Sequence, residues 1–307
     1  MRVLITGGAG MVGRNLRRHP EAAAHEVLAP PREELDLADR AAVTRYLDEA
    51  RPELVIHAAG RVGGIQANIA APVRFLTDNL TIGQNVILGA WESGVTSLIN
   101  LGSTCMYPRD GVNPLTEDQI LSAPLEPTNE GYALAKIVAQ RLCDYISRED
   151  ADVRYKTLIP CNLYGPHDTF DPAASHLIPA ILHKLHRAKT TGADIVEIWG
   201  DGTARREFMY VGDLADAVWR AAGDMSRVPD VMNVGLGRDY SINEYYEIGA
   251  QVVGWSGTFR HDLDRPVGMK RKLCSSRKAA DWGWTASVPL TEGLERTYEH
   301  YLSEVAR

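Results

Sequence analysis

Short apolar runs alternate with stretches of helical periodicity through the first half of the chain. Val3-Leu4-Ile5 is an aliphatic run that ends in glycines, and a helical pattern follows from Met11. Residues 26–29 predict a second strand, 41–50 a helix, and Leu54-Val55-Ile56-His57-Ala58-Ala59 a third strand. A helix over 78–93 and a strand over 97–101 continue the series. Strands that are apolar on both faces and separated by helices indicate a parallel sheet covered on both sides. Right-handed crossovers then give a Rossmann-type, doubly wound α/β fold.

Past about residue 165 the rhythm is less regular. Residues 166–175 are rich in Pro, Asp and Ala and predict a loop; 178–188 predict a helix, and 195–199 a strand closed by the Gly200-Asp201-Gly202 turn. The expected organisation is a dinucleotide-binding domain over 1–165, with returning elements near 207–236, and a smaller C-terminal α/β substrate domain over 166–307. No internal repeat or low-complexity segment interrupts it.

The first strand leads directly into Gly7-Gly8-Ala9-Gly10-Met11-Val12-Gly13. Gly7, Gly10 and Gly13 have the spacing of a turn that is tight, leaves room for a pyrophosphate and brings helix close to strand. Met11 and Val12 open the helix, whose free N–H groups and positive dipole end suit phosphates. A carboxylate at the end of the second strand would take the ribose hydroxyls of NAD. Here that position reads Ala29-Pro30-Pro31-Arg32. Arg32, supported by Arg14, is the candidate for a 2′-phosphate, so NADP(H) is expected. Asp36 and Leu37 are expected to border the adenine.

Tyr132 and Lys136 stand four residues apart in a helical pattern, on one face. A neighbouring ammonium and a bound ribose can lower a phenol from its usual value of about 10, fitting Tyr132 to donate a proton as hydride reaches a carbonyl. Ser103, just past the fourth strand, can hydrogen-bond the same oxygen. Phosphate cradle, acid, cation and orienting hydroxyl together indicate a carbonyl reductase.

Charge and composition narrow the partners. Lys+Arg 33 against Asp+Glu 40 gives a net charge of −7, and the isoelectric point is about 5.7. Nucleic acid and acidic membranes call for a positive field and are not expected partners. An anionic substrate needs a local basic cluster, for which His183-Lys184, Arg206 and Arg271-Lys272 are candidates, with Trp199 and Val196 proposed for a base pocket. No apolar run approaches the roughly 18–20 residues of a membrane span. The chain starts straight into a strand-like run, leaving no room for a signal peptide. Cys105, Cys143, Cys161 and Cys274 lack metal-site spacing, so free thiols in a reducing cytoplasm are expected, and no metal.

These motifs resemble the extended short-chain dehydrogenase/reductases, and more closely the GDP-L-fucose synthase family of 3,5-epimerase–4-reductases. The resemblance runs over nearly the whole chain. It is carried by Val62-Gly63-Gly64-Ile65-Gln66-Ala67-Asn68, Gly102-Ser103-Thr104-Cys105-Met106-Tyr107-Pro108, Glu126-Pro127-Thr128-Asn129-Glu130-Gly131-Tyr132, Asn162-Leu163-Tyr164-Gly165-Pro166-His167-Asp168 and Ser175-His176-Leu177-Ile178-Pro179, and continues through Arg206-Glu207-Phe208 and Arg271-Lys272-Leu273.

The resemblance implies that Ser103, Tyr132 and Lys136 reduce a nucleotide-linked 4-keto-6-deoxyhexose with NADPH. Cys105 and His176 would act as the base and acid that invert carbons 3 and 5, and His176 would also touch the cofactor. Lys184, Trp199, Arg206 and Lys272 would hold the nucleotide sugar, and a homodimer would form through the helices near 78–93 and 133–147. Departures from the family pattern are Lys184 for arginine, Gly131 for proline, Ala9 for a basic residue and Thr104 for serine. Lys184 loses a bidentate fork, which leaves the sugar and the nucleotide, GDP or dTDP, open. A 4-ketoreductase without epimerisation is the alternative. More distant rivals are a redox-neutral epimerase or dehydratase with tightly held NAD, and a non-catalytic NADP sensor.

Overall fold

A computed structural model describes residues 1–171, 175–264 and 269–305. In chain order the strands are β1 Arg2–Thr6, β2 Glu26–Leu28, β3 Leu54–His57, β4 Ser97–Leu101, β5 Arg154–Pro160, β6 Asn162–Tyr164, β7 Ile195–Trp199, β8 Arg205–Arg206, β9 Phe208–Tyr210, β10 Val231–Val234, β11 Tyr240–Ser241, β12 Thr258–Asp262 and β13 Arg271–Lys272. The helices are α1 Met11–Arg18, α2 Arg40–Ala50, α3 Ile65–Ala70, α4 Pro72–Glu92, α5 Glu130–Glu149, α6 Leu177–Thr191, α7 Val211–Gly223, α8 Ile242–Val253, α9 Arg277–Trp282 and α10 Leu290–Glu304. Of the loop expected over 166–175, residues 172–174 lie outside the described residues.

Six parallel strands form the main sheet in the order β10-β5-β4-β3-β1-β2. The order reverses between β1 and β3, the crevice where open α/β sheets bind ligands. Alternation along each strand builds two cores. Val3, Ile5, Leu54, Ile56 and Ile99 pack with Leu16 of α1 and Leu214 and Val218 of α7. Leu4, Val55, Leu98 and Tyr155 face the other way, onto Val43, Leu47, Val86, Ile87, Cys143 and Ile146 of α2, α4 and α5. The central strands bury both faces, as the apolar runs predicted, while the edge strand β2 is only half-buried.

A third core lies in the second half of the chain. Ile181, Leu185, Val196, Ile198, Tyr245, Leu294 and Tyr301 join α6, β7, α8 and α10. Smaller sheets flank it: β12 pairs with β7, β6 with β9, and β8 lies between β11 and β13. Phe208 and Tyr210 of β9 pack into this third core, whereas Met209 between them packs into the first.

Five of the main strands carry buried polar residues. Thr6, His57, Asn100 and Thr157 are register partners across β1, β3, β4 and β5, and all four are buried. Asn233 of β10 is fully buried and ties three segments together. Its Oδ1 accepts from the Tyr107 hydroxyl at 2.5 Å. Its Nδ2 donates to the carbonyls of Leu115 at 3.0 Å and Ser275 at 3.2 Å. Its backbone N–H reaches Glu117 Oε1 at 2.8 Å. Asn233 thereby fixes the segment that leaves β4 through Ser103 and Tyr107. Asn233→Ala strands a phenol and two carbonyls in the interior, an expected cost of about 2–4 kcal/mol. Differential scanning calorimetry should show the melting temperature falling by roughly 5 °C or more; an unchanged value would remove the knot from this account.

Candidate active site

Steric limits at the glycine turn are severe. Gly7 has φ +72°, and a Cβ there would lie 2.8 Å from the backbone of Ala59. A Cβ on Gly13 would sit 2.3 Å from the Gly7 carbonyl, whereas one on Gly10 would meet that oxygen only at 3.5 Å and otherwise face open space. Gly7 and Gly13 close the turn, and Gly10 leaves a hollow above it. Gly10 caps α1 without a side-chain bond, so the first-turn N–H groups of Met11, Val12 and Gly13 have no partner within the helix. Arg14 Nε donates to the Ala9 carbonyl at 2.9 Å and braces the turn. This cradle fits a dinucleotide pyrophosphate.

The turn opens into a cleft of about 1870 Å³ along the carboxyl ends of β1, β3, β4 and β5. Ligand pockets usually measure roughly 300–1,000 Å³, so there is room for a second ligand beside a dinucleotide. Arg32, Asp36 and Leu37 line one rim. Arg32 is solvent-exposed, with Asp36 Oδ2 3.6 Å from its guanidinium; a 2′-phosphate would compete with that carboxylate.

Ser103, Tyr132, Lys136 and His176 share the same cleft wall. Ser103 follows β4, and its Oγ accepts from Cys105 N at 3.3 Å while hydrogen-bonding the Tyr132 phenol. Lys136, one turn along α5 from Tyr132, is buried and donates from Nζ to the Leu101 carbonyl at 2.8 Å. Its Nζ lies 6.0 Å from the centre of the Tyr132 ring. Burial lowers the Lys136 pKa to about 8. His57 beneath is brought to about 3 by burial and then by the Lys136 charge. It is neutral, with Nδ1 hydrogen-bonded to Thr6 Oγ1 at 2.8 Å.

The expected lowering of the Tyr132 pKa is corrected here. Burial drives it up, charge on Cys105 adds to the rise, and only the Ser103 hydrogen bond opposes them. The ammonium donates to the Leu101 carbonyl instead, and desolvation is the largest influence on the phenol.

His176 precedes α6 and caps it without a side-chain bond. Its Nδ1 is 3.9 Å from Asp168 Oδ1, and that carboxylate raises the imidazole pKa against the effect of burial. Cys105 is half-buried, whereas Cys143, Cys161 and Cys274 are buried. It is not part of the cleft wall; it lies one residue past Thr104, with Asn129 Nδ2 donating to its Sγ at 3.1 Å.

None of Lys184, Trp199, Arg206 and Lys272 lines this cleft. Arg206 and Lys272 are register partners on β8 and β13. Asp239 grips the same small sheet, accepting from Arg205 Nε at 2.7 Å and Arg271 Nε at 2.5 Å. Lys184 Nζ donates to the Glu197 carbonyl at 2.7 Å and lies 5.8 Å from the Tyr246 ring centre. Trp199 is exposed, but Val196 is buried in the third core; Val196 is corrected from a pocket wall to a packing residue.

The sequence reading missed Asp168, Asn129 and Asn79. Asn79 holds the Gly60–Arg61 backbone beside Lys136, accepting from Arg61 N at 2.8 Å and donating to the Phe75 and Arg61 carbonyls. A buried amide in a helical stretch carries no spacing signal. Asp168 and Asn129 lie within segments that had been quoted only for a resemblance. Among the described residues, no cluster of three or more His, Cys, Asp or Glu could hold a metal, and no helix is long and apolar enough to cross a membrane.

Over residues 3–235 the chain matches the NAD dependent epimerase/dehydratase family. It is 49% identical over 304 residues to the GDP-L-colitose synthase of Yersinia pseudotuberculosis, covering 99% of each chain. It is 49% identical over 302 residues to a GDP-L-fucose synthase of Azorhizobium caulinodans, covering 98% of this chain and 96% of that one. Among solved structures it superposes on MlghC, a GDP-mannoheptose C4 reductase from Campylobacter jejuni with NADP bound, with TM-score 0.89, 30% identity and 98% coverage of both chains.

Gly13→Ala places its methyl against the Gly7 carbonyl and should open the cradle. The expected result is a loss of NADPH affinity of about 100-fold, or ~2.7 kcal/mol, in a fluorescence titration, with the far-ultraviolet circular dichroism retained. Undiminished affinity would mean that the pyrophosphate binds elsewhere.

Proposed function

The chain belongs to the NAD dependent epimerase/dehydratase family, and from that premise we propose that it converts GDP-4-keto-6-deoxy-D-mannose to GDP-L-fucose, by 3,5-epimerisation and 4-reduction. The coarser activity is that of an NADP-dependent nucleotide-sugar oxidoreductase with a GDP-linked substrate, the linkage named for both 49% relatives. The observation that carries the reading is the single cleft shared by the glycine turn and the Ser103, Tyr132 and Lys136 side chains.

Bound NADPH supplies the hydride. Ser103 holds the ketone oxygen by a hydrogen bond. As that oxygen gains negative charge, the Tyr132 O–H bond breaks and its proton completes the alcohol. The elevated pKa of Tyr132 keeps the proton in place at neutral pH. Lys136, as a buried cation beneath the ring, stabilises the phenolate left behind.

Epimerisation precedes reduction. A Cys105 thiolate removes the proton next to the ketone; the C–H pair moves into an enolate whose oxygen stays on Ser103 and Tyr132. His176, protonated and raised by Asp168, returns a proton to the opposite face. The cofactor belongs to the first 165 residues with the returning 207–236 segment, and the nucleotide sugar to 166–307. Lys184, Arg206 and Lys272 take the diphosphate, Trp199 the base, and Arg32 the 2′-phosphate. The four free thiols suit a reducing cytoplasm. Leu134, Val138 and Tyr145, exposed along α5, form the face of a homodimer with α4.

A second reading is 4-reduction without epimerisation. Two facts favour it: Cys105 stands outside the cleft wall, and the structural neighbour MlghC is named a C4 reductase. Incubation with GDP-4-keto-6-deoxymannose and NADPH in deuterium oxide, read by NMR, separates the two. The proposal expects deuterium at carbons 3 and 5 and the L-galacto ring, with Cys105→Ser losing the label by at least ~100-fold. An unlabelled product from the unmutated protein would reject the epimerase half.

Lys136 sets a pH limit. Its folded pKa is about 8 against an ordinary 10.5, so the ammonium is present below pH 8 and is lost as pH rises through that value. The pH profile of kcat/KM for the free enzyme should therefore fall on its alkaline side near pH 8, and Lys136→Arg, cationic to beyond pH 12, should abolish that limb. An identical limb in the arginine variant would assign it to another group.

A further inference from the structure

We propose that Asn129 is a positioning residue for the Cys105 thiolate, and that it supports epimerisation while contributing little to reduction; this rests on the proton-abstracting role given above to Cys105. Asparagine is among the residues that best cap a helix N-terminus, through its side-chain oxygen. Asn129 occupies that position before α5 and makes no side-chain cap bond. Instead its Nδ2 points at Cys105 Sγ, 3.1 Å away, and its Oδ1 is buried with no hydrogen-bond partner. The amide makes no cap bond and leaves its own carbonyl oxygen unsatisfied, an arrangement that needs a reason. What it gains is a donor on sulfur.

A thiol needs no donor; a thiolate does, because an N–H bond to an anion is roughly twice as strong as one to a neutral acceptor. The start of a 20-residue helix adds its positive end at the same place. Ser103 Oγ meanwhile accepts from the Cys105 backbone N–H, which fixes the sulfur on the amide side. The same Ser103 Oγ hydrogen-bonds the Tyr132 phenol, which links the cysteine backbone to the reducing acid. When the thiolate takes a carbon-bound proton, the C–H pair stays in the enolate, the S–H bond forms and the Asn129 hydrogen bond weakens.

Alkylation tests this without substrate, since Cys105 is half-buried while the other three thiols are buried. Iodoacetamide at pH 7.5, with Cys105→Ser as the blank, should modify Asn129→Ala about 10-fold more slowly than the parent. Asn129→Asp, of the same shape but with a carboxylate in place of the donor, should be slower still. The ratio of deuterium exchange to reduction should fall by the same factors in both variants, and an unchanged NADPH affinity certifies their fold. If the Asp variant alkylates as fast as the parent, or if exchange and reduction fall together, the proposal is overturned. Failure of the epimerase reading is visible separately, as an unmutated protein that exchanges nothing while alkylation still follows the Asn, Ala, Asp order.

Discussion

The site depends on one buried hydrogen bond, from the Lys136 ammonium to the Leu101 carbonyl. It ties α5 to the last residue of β4, and so holds together the two segments that carry Tyr132 and Ser103. A cation in this position is costly, which is why its pKa is depressed. The neutral His57 beneath it adds no second charge, and Asn79 shapes the loop on its other side. Without the carbonyl the lysine would turn to solvent, and neither the phenol nor the serine hydroxyl would keep its place at the cleft wall.

An acidic protein that binds two polyanionic ligands must divide the task. At the glycine turn the attraction comes from backbone N–H groups, because Arg14 is engaged with the Ala9 carbonyl and Arg32 stands at the rim. In the second half the proposed attraction comes from side chains on a small sheet. There Asp239 and Glu244 together balance Arg205 and Arg271, which leaves Arg206 and Lys272 as adjacent cations on paired strands. Both devices concentrate positive potential locally and leave the net charge negative.

Much of the fold was legible because its signals are local. Strands β1 to β4 are short aliphatic runs, and the Gly7–Gly13 turn has the one spacing that sterics allow. Strands β5 and β10 were not read, because Lys156, Thr157 and Asn233 break their apolar pattern; each is buried only because a partner lies across the sheet or in a distant loop. Helix α4 begins at Pro72, ahead of the predicted 78, since Arg74, Thr77 and Asp78 on its cleft side hide the periodicity while Pro is well placed at a first turn. Within the site, Tyr132 and Lys136 were legible as a pair one turn apart. The direction in which the ammonium points was not, because it is set by a carbonyl 35 residues away. Val196 was misplaced for a related reason: a strand residue next to an exposed tryptophan is equally suited to a pocket or a core, and only the packing of α6, α8 and α10 decides between them.

Reduction and epimerisation make opposite demands on protons. Reduction needs a phenol that stays protonated until the alkoxide forms, and burial of Tyr132 favours that state. The proposed epimerisation needs a sulfur that gives up its proton first, and a hydrogen-bond donor on it favours the anion. One site therefore serves the acid by burial and the proposed base by a donor. For the proposed base the structure offers geometry: Cys105 stands against the Asn129 amide donor, while Tyr132 lines the cleft. On the proposed roles the donor beside the sulfur serves the base alone, because the Asn129 amide touches neither Tyr132 nor Lys136, and Lys136 is held by its own bond to β4.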